Sequence, residues 1–106
     1  MKGCVFCKLI QDKSNLIWEN DKIVAFNDIK PSAPTHILIV PKIHIAKLDD
    51  LEDQKLSAEL LEAVKQIAQQ VNLKNGYRII INNGPDGGQI VEHLHLHLLG
   101  GKKLGA

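Results

Sequence analysis

Aromatic side chains are scarce in this chain: Trp18, Tyr77, Phe6 and Phe26 are all it has. A sheet of aromatics on which bases stack is therefore disfavoured. An excess of one charge is also missing. Thirteen Lys and Arg stand against 12 Asp and Glu, a formal net charge of +1. No basic arm or sustained basic face appears, which argues against a nucleic-acid partner held by electrostatics. No apolar run approaches a membrane span. The opening "MKGCVFCKLIQDK" is interrupted by Lys8 before it could serve as a signal peptide. Cysteine is limited to Cys4 and Cys7, too few for a secreted disulfide framework. Their C-x-x-C spacing fits a metal or redox role in a reducing cytoplasm.

What is present fits one domain spanning residues 1–106, large enough for a single core without disulfides. "VFCKLIQ" predicts one or two helical turns. "LIWEN" and "KIVAFND" predict strands around the turn "ENDK", with Ile23 and Ala25 on one face of the second. Pro31 and Pro34 enforce an extended connection. "HILIVP" then runs apolar without alternation up to Pro41, as a central strand covered on both faces does. From about Asp50 to Asn72 the pattern turns helical: Leu56, Leu60, Val64, Ile67 and Val71 form one stripe. Asp49, Asp50, Glu52 and Asp53 gather at its start, where the helix dipole favours negative charge. Gly76 can take the positive φ of a helix exit. "YRIIIN" and "IVEHLHLHLLGG" read as strands flanking the glycine-rich loop "NGPDGGQ". Several strands with one long helix inserted predict an α+β domain with an antiparallel sheet.

Three of the five histidines fall within five positions of the last strand. Side chains alternate along a strand, so His93, His95 and His97 share one face and Leu94, Leu96 and Leu98 the other. The imidazole face suits a metal site, a phosphoryl-transfer site or a plain half-buried strand. Three close imidazoles are not all protonated cheaply at neutral pH, so at least one is neutral and free to act as ligand, base or nucleophile. Gly87 and Gly88, just before the ladder, allow backbone N–H groups to approach an anion. Together these features favour phosphate chemistry, in which one imidazole attacks phosphorus and a second protonates the leaving group.

"HLHLHLL" resembles the motif of the histidine triad (HIT) family, and the following "LGG" resembles its Hint-like branch, the purine nucleoside phosphoramidases. "DIKPSAPTHILIVPK" and "NNGPDGGQIVEHLHLHLLGG" match Hint-like stretches in order and spacing, over nearly the whole chain. The resemblance implies a HIT-like fold: an antiparallel five-stranded sheet with one long and one short helix. It implies a homodimer acting on purine nucleotide derivatives (of AMP or GMP) through a nucleotidyl-histidine. By that match His95 is the nucleophile and His97 the proton donor to the leaving group, with His93 and His36 completing the network. Asp28 corresponds to the ribose-binding acid, Ile29 lies beside the base, and Asn82, Gly88 and Gln89 lie on the phosphate side. Nucleotidyltransferase relatives carry glutamine at the third triad position, so His97 favours hydrolysis. In zinc-bearing relatives a histidine after "VPK" and the first triad histidine join the two cysteines, which here gives Cys4, Cys7, His44 and His93 as ligands of a structural Zn²⁺. The chain departs from the pattern at Ile90, where animal relatives carry serine, at Glu92, where tyrosine is common, and in its short tail "KKLGA". Dinucleoside polyphosphate hydrolysis, or a zinc-binding regulatory module without turnover, are the competing expectations.

Overall fold

Helix α1 spans Val5–Asp12, followed by β1 (Leu16–Glu19), β2 (Ile23–Asn27) and β3 (Thr35–Pro41). The long helix α2 (Gln54–Gln70) then leads into β4 (Arg78–Ile80) and β5 (Leu96–Gly100). Short 3₁₀ turns occupy Leu48–Asp50 and Pro85–Gly87. These elements come from a computed structural model that describes residues 3–106. The strands form one sheet in the order β1-β2-β3-β5-β4, with every pair antiparallel. The α+β architecture and its two helices are as expected. Among the described residues no helix is long and apolar enough to cross a membrane.

The Asn20 side chain makes the β1–β2 turn: its Oδ1 accepts from the N–H groups of Lys22 (2.9 Å) and Ile23 (2.8 Å). Strand β2 was expected to bury one face, yet Ile23, Val24, Ala25 and Phe26 are all buried. Ile23 and Ala25 face α2, while Val24 and Phe26 pack with Phe6 of α1 on the opposite side. Strand β3 is likewise covered on both faces within one chain. Both covers come from within the chain, α1 supplying what α2 does not.

Helix α2 starts at Gln54, later than the acidic run suggests. Asp53 is its N-cap, its carboxylate accepting from the N–H groups of Lys55 (3.0 Å) and Leu56 (3.2 Å). Asp49 and Asp50 belong to the separate 3₁₀ turn, and no acid sits in the helix's first turn. The cluster therefore acts through one capping residue rather than as a charged first turn. Leu56, Leu60, Val64 and Ile67 are buried as the stripe predicts. Each contributes about 1.5–3 kcal/mol of transfer free energy. At the exit Asn72, not Gly76, takes the left-handed conformation next to the helix (φ 63°).

The last strand is shorter than the sequence suggests. Residues 90–95 make no ladder: β5 begins at Leu96, opposite Ile39. Ahead of it, Leu94 N–H donates to the carbonyl of Ile45 (2.6 Å) and His93 Nε2 to that of Pro41 (2.8 Å). A side chain and a loop carbonyl thus take the place of ladder partners. The facing still holds: Leu94, Leu96 and Leu98 enter the core under α2, while Phe6 meets the rings of His93 and His95 edge-on from the other side.

Candidate active site and metal centre

Two groups of imidazoles stand at the two ends of the histidine run. At the first, Cys4 Sγ lies 3.4 Å from His93 Nδ1, and Cys7 Sγ lies 3.4 Å from His44 Nδ1 and 3.5 Å from His93 Nδ1. All four donor atoms fall within 4.8 Å of one another. A tetrahedral zinc, with bonds of about 2.3 Å to sulfur and 2.0–2.1 Å to nitrogen, separates such atoms by roughly 3.5 Å. Protonation agrees as well. His93 is fully buried and its Nε2–H is committed to the Pro41 carbonyl, so the lone pair of the neutral ring is on Nδ1, toward the thiols. A backbone partner on the remote ring nitrogen is the usual support of a metal-bound histidine. Burial keeps His93 below the ordinary imidazole range, against the opposing Pro41 bond and aided by His44. Burial and the Cys4 hydrogen bond push the Cys7 thiol up; a divalent cation at the sulfur reverses that tendency. The four residues fit Zn²⁺.

At the second end, the Ser32 N–H donates to His36 Nδ1 (3.0 Å). Neutral His36 then carries its proton on Nε2, 2.9 Å from His97 Nδ1. Accepting there, neutral His97 holds its own proton on Nε2. The Asp28 carboxylate lies 3.4 Å from His36 Nε2, and its other oxygen accepts from Lys30 N–H (2.8 Å). Burial first, then the like charges of His95 and His36, hold His97 below the ordinary imidazole range. Asp28, His36 and His97 also bring three donor atoms within 4.8 Å, but this group does not suit an ion. A metal on His36 Nε2 would shift the ring proton to Nδ1, against the N–H of Ser32.

Between the two groups stands His95, buried, with Nδ1–H donated to the carbonyl of His93 (2.7 Å). Its lone pair is therefore on Nε2. The His95 and His97 ring centroids are 5.0 Å apart. Both rings line a cavity of about 750 Å³ whose apolar wall includes Phe6, Leu9, Phe26 and Leu38. Asp28, Ile29, Asn82 and Gly88 also line it. His36 meets His97 from outside the cavity lining, and His93 is fully buried as a member of the cysteine cluster.

Gln89 stands outside the cavity lining. Its Oε1 accepts from Gly84 N–H (2.9 Å), and its Nε2 donates to the carbonyls of Ala46 (2.7 Å) and Val91 (2.9 Å). It braces the glycine loop. In that loop Gly84 and Gly88 take positive φ (74° and 80°), which L side chains adopt only with strain. The N–H groups of Gly87 and Gln89 both donate to Gly84's carbonyl, and that of Gly88 donates to Pro85's. The loop's own turn therefore uses the amides that the sequence suggested for an anion. Asn82 is tied to the same turn through Nδ2 and the Gly87 carbonyl (2.8 Å). Of the departures, Ile90 lines the cavity and is 92% exposed, and Glu92 is exposed in a shallow pocket with Cys4 and His44. Sequence reasoning missed the apolar wall and the backbone amide of Ser32. Phe6 and Phe26 were legible as half of the chain's aromatics, but the Ser32 amide carries no side-chain signal.

A histidine-lined cavity beside a cluster of two cysteines and two histidines, on this sheet, defines the class. The chain belongs to the HIT domain family, whose model matches residues 10–104. It is 48% identical over 104 residues to an uncharacterized HIT-like protein of Synechococcus elongatus, covering 94% of this chain and 91% of that one. It is 43% identical over 107 residues to a 14 kDa zinc-binding protein of Zea mays, covering 94% and 83%. Among solved structures, a HIT family hydrolase from Legionella pneumophila superposes with a TM-score of 0.90 at 45% identity, over 96% of each chain.

Proposed function

We propose that the chain is a single-domain nucleotide hydrolase of the Hint-like branch that cleaves the P–N bond of purine nucleoside 5′-phosphoramidates. The observation that carries this reading is the complementary protonation of two neighbouring rings on one cavity. His95 offers a lone pair on Nε2 and His97 a proton on Nε2. The apolar wall of Phe6, Leu9, Phe26 and Leu38 suits a purine, with Ile29 at its edge and Asp28 available to the ribose hydroxyls. Asn82 and Gly88 are on the phosphate side; Gln89 acts by holding their loop.

In the first step His95 Nε2 attacks phosphorus and the P–N bond breaks. The leaving nitrogen takes the bonding pair and a proton from His97 Nε2, because an amine is a poor leaving group until protonated. His97 gives it as imidazolium, charged by a proton taken up with the anionic substrate, and is left as the neutral ring. In the second step His97, now with a free pair, takes a proton from water as the oxygen attacks. The His95–phosphorus bond breaks, giving nucleoside monophosphate and restoring both rings. His36 and the Ser32 amide keep His97 in the donor tautomer.

Zn²⁺ on Cys4, Cys7, His44 and His93 supplies structure, tying α1 to the approach of β5. His93 links the metal to the nucleophile, since its carbonyl orients His95. Leu61, Tyr77 and Ile79 are exposed on α2 and on the open edge at β4, which favours a homodimer formed along that edge. Two cysteines that form no disulfide suit a reducing cytoplasm.

The test is turnover of adenosine 5′-phosphoramidate against diadenosine tetraphosphate, with the covalent intermediate sought in acid-quenched enzyme. Faster P–N cleavage and a 5′-adenylyl group on His95 are expected. A preference for the tetraphosphate would move the chain to the polyphosphate hydrolases.

A further inference from the structure

A second groove of about 480 Å³ adjoins the first and shares His97 and Asn82 with it, but not His95. Arg78, Lys102 and Lys103 line this groove, and no aspartate or glutamate does. Arg78 comes from β4, while the two lysines come from the tail after β5. The Arg78 guanidinium donates to the carbonyl of Gly105, so the tail is drawn along the groove. None of the three cations is among the ion pairs of the described residues, whereas Lys42 is held by Glu19 at 2.7 Å on another part of the sheet. The chain as a whole is nearly neutral, at +1, so three unopposed cations around one groove are a local feature.

In-line displacement fixes where a leaving group goes. Attack by His95 Nε2 expels the group from the opposite side of phosphorus, and the ring that protonates it must stand beside it. His97 has that place, and the groove that opens past His97 and away from His95 is the basic one. We infer that this groove is the leaving-group subsite and that it selects leaving groups bearing an anion, a carboxylate or a phosphate, close to the scissile bond. The inference rests on the phosphoramidate reading above. For an amino acid joined to phosphorus through its amino nitrogen, the P–N bond breaks. The nitrogen takes the bonding pair and the His97 proton, and the carboxylate stays ionised among Arg78, Lys102 and Lys103. Exposed charges act through water and salt, so the selection is modest, about tenfold, and fades as ionic strength rises.

The test compares kcat/KM for the adenosine 5′-phosphoramidates of glycine and of glycinamide, which differ in the carboxylate alone. Wild-type protein should favour glycine about tenfold. The ratio should fall toward one in Lys102→Gln/Lys103→Gln, a change confined to the exposed tail, and in Arg78→Gln, with circular dichroism confirming the fold of each. Binding that the double variant weakens identifies the source of the anion: tighter pyrophosphate than free glycine assigns the groove to phosphate, tighter glycine to carboxylate. If neither phosphoramidate is cleaved, the P–N reading fails, and calorimetric binding of pyrophosphate decides the groove on its own. Pyrophosphate binding that the double variant weakens supports the subsite. A glycine-to-glycinamide ratio of one or less in wild type, or, without turnover, no variant-sensitive pyrophosphate binding, overturns it.

Discussion

The two histidine groups of this protein are built from similar parts and do opposite things with a proton. Around His93, the remote nitrogen Nε2 gives its hydrogen to the Pro41 carbonyl, so Nδ1 offers a lone pair where the thiols converge. Around His36, a backbone N–H reaches Nδ1, so Nε2 keeps its hydrogen and passes a donor–acceptor order on to His97. Each group places its donor atoms within the same 4.8 Å. The compactness of a cluster therefore does not say whether it suits a metal. A carbonyl on one ring and an amide on the other decide it, because a neutral imidazole carries one proton and its partner fixes which nitrogen holds it.

The largest effect belongs to His95, which stands between the groups. His95→Asn should lower phosphoramidate turnover by about four orders of magnitude or more, since no other ring on the cavity offers a lone pair. Zinc content and melting temperature should stay as in wild type. Residual activity within tenfold of wild type would transfer the nucleophile's role elsewhere.

Cys4→Ala breaks the metal group and leaves the other whole. Elemental analysis should find one zinc per chain in the wild type and none in the variant. The melting temperature should fall by roughly 12–20 °C, corresponding to about 3 kcal/mol. Equal metal content in both proteins, or no change in melting, would remove zinc from the account.

His36→Leu breaks the other group. Without its partner the His97 proton is free to sit on either nitrogen, and kcat should drop about a hundredfold with KM changed little. The pH dependence of kcat should alter in shape as well. His36→Gln, which keeps a donor of similar reach, should recover part of the loss, and zinc should remain in both variants. A fall in KM-related binding alone would make His36 a structural residue only.

The smallest effect is on stability against pH. Burial depresses the folded-state pKa of His97, so the unfolded chain binds more protons as the solution becomes acidic. The stability contribution is fully present above the ordinary imidazole pKa of about 6.5 and is lost as pH falls through the depressed folded value. Denaturant unfolding of the wild type should therefore weaken from neutral toward acid pH, and His97→Gln should weaken less steeply. Identical slopes would mean that the ring is equally protonatable in both states.

Much of the fold could be read from residue pattern. The stripe Leu56, Leu60, Val64 and Ile67 specifies one buried helical face, and the unbroken "HILIVP" specifies a strand covered on both sides. The shared face of His93, His95 and His97 also followed from alternation, though only Leu96 onward forms a ladder. The cysteine spacing and the triad brought the metal and histidine candidates within sight, because those are side-chain identities in local order.

Sequence by itself determined which side chains were available and which of them share a face, since helix and strand periods are properties of a few consecutive residues. Tertiary structure alone decided which nitrogen of each ring is free, because the deciding partners are the backbone atoms of Pro41, His93 and Ser32. It also decided that Gln89 braces a loop and that Arg78 faces Lys102 and Lys103 across one groove. Every residue has the same main-chain N–H or C=O to offer apart from proline, so nothing in a residue's name says where that group will point once distant segments meet.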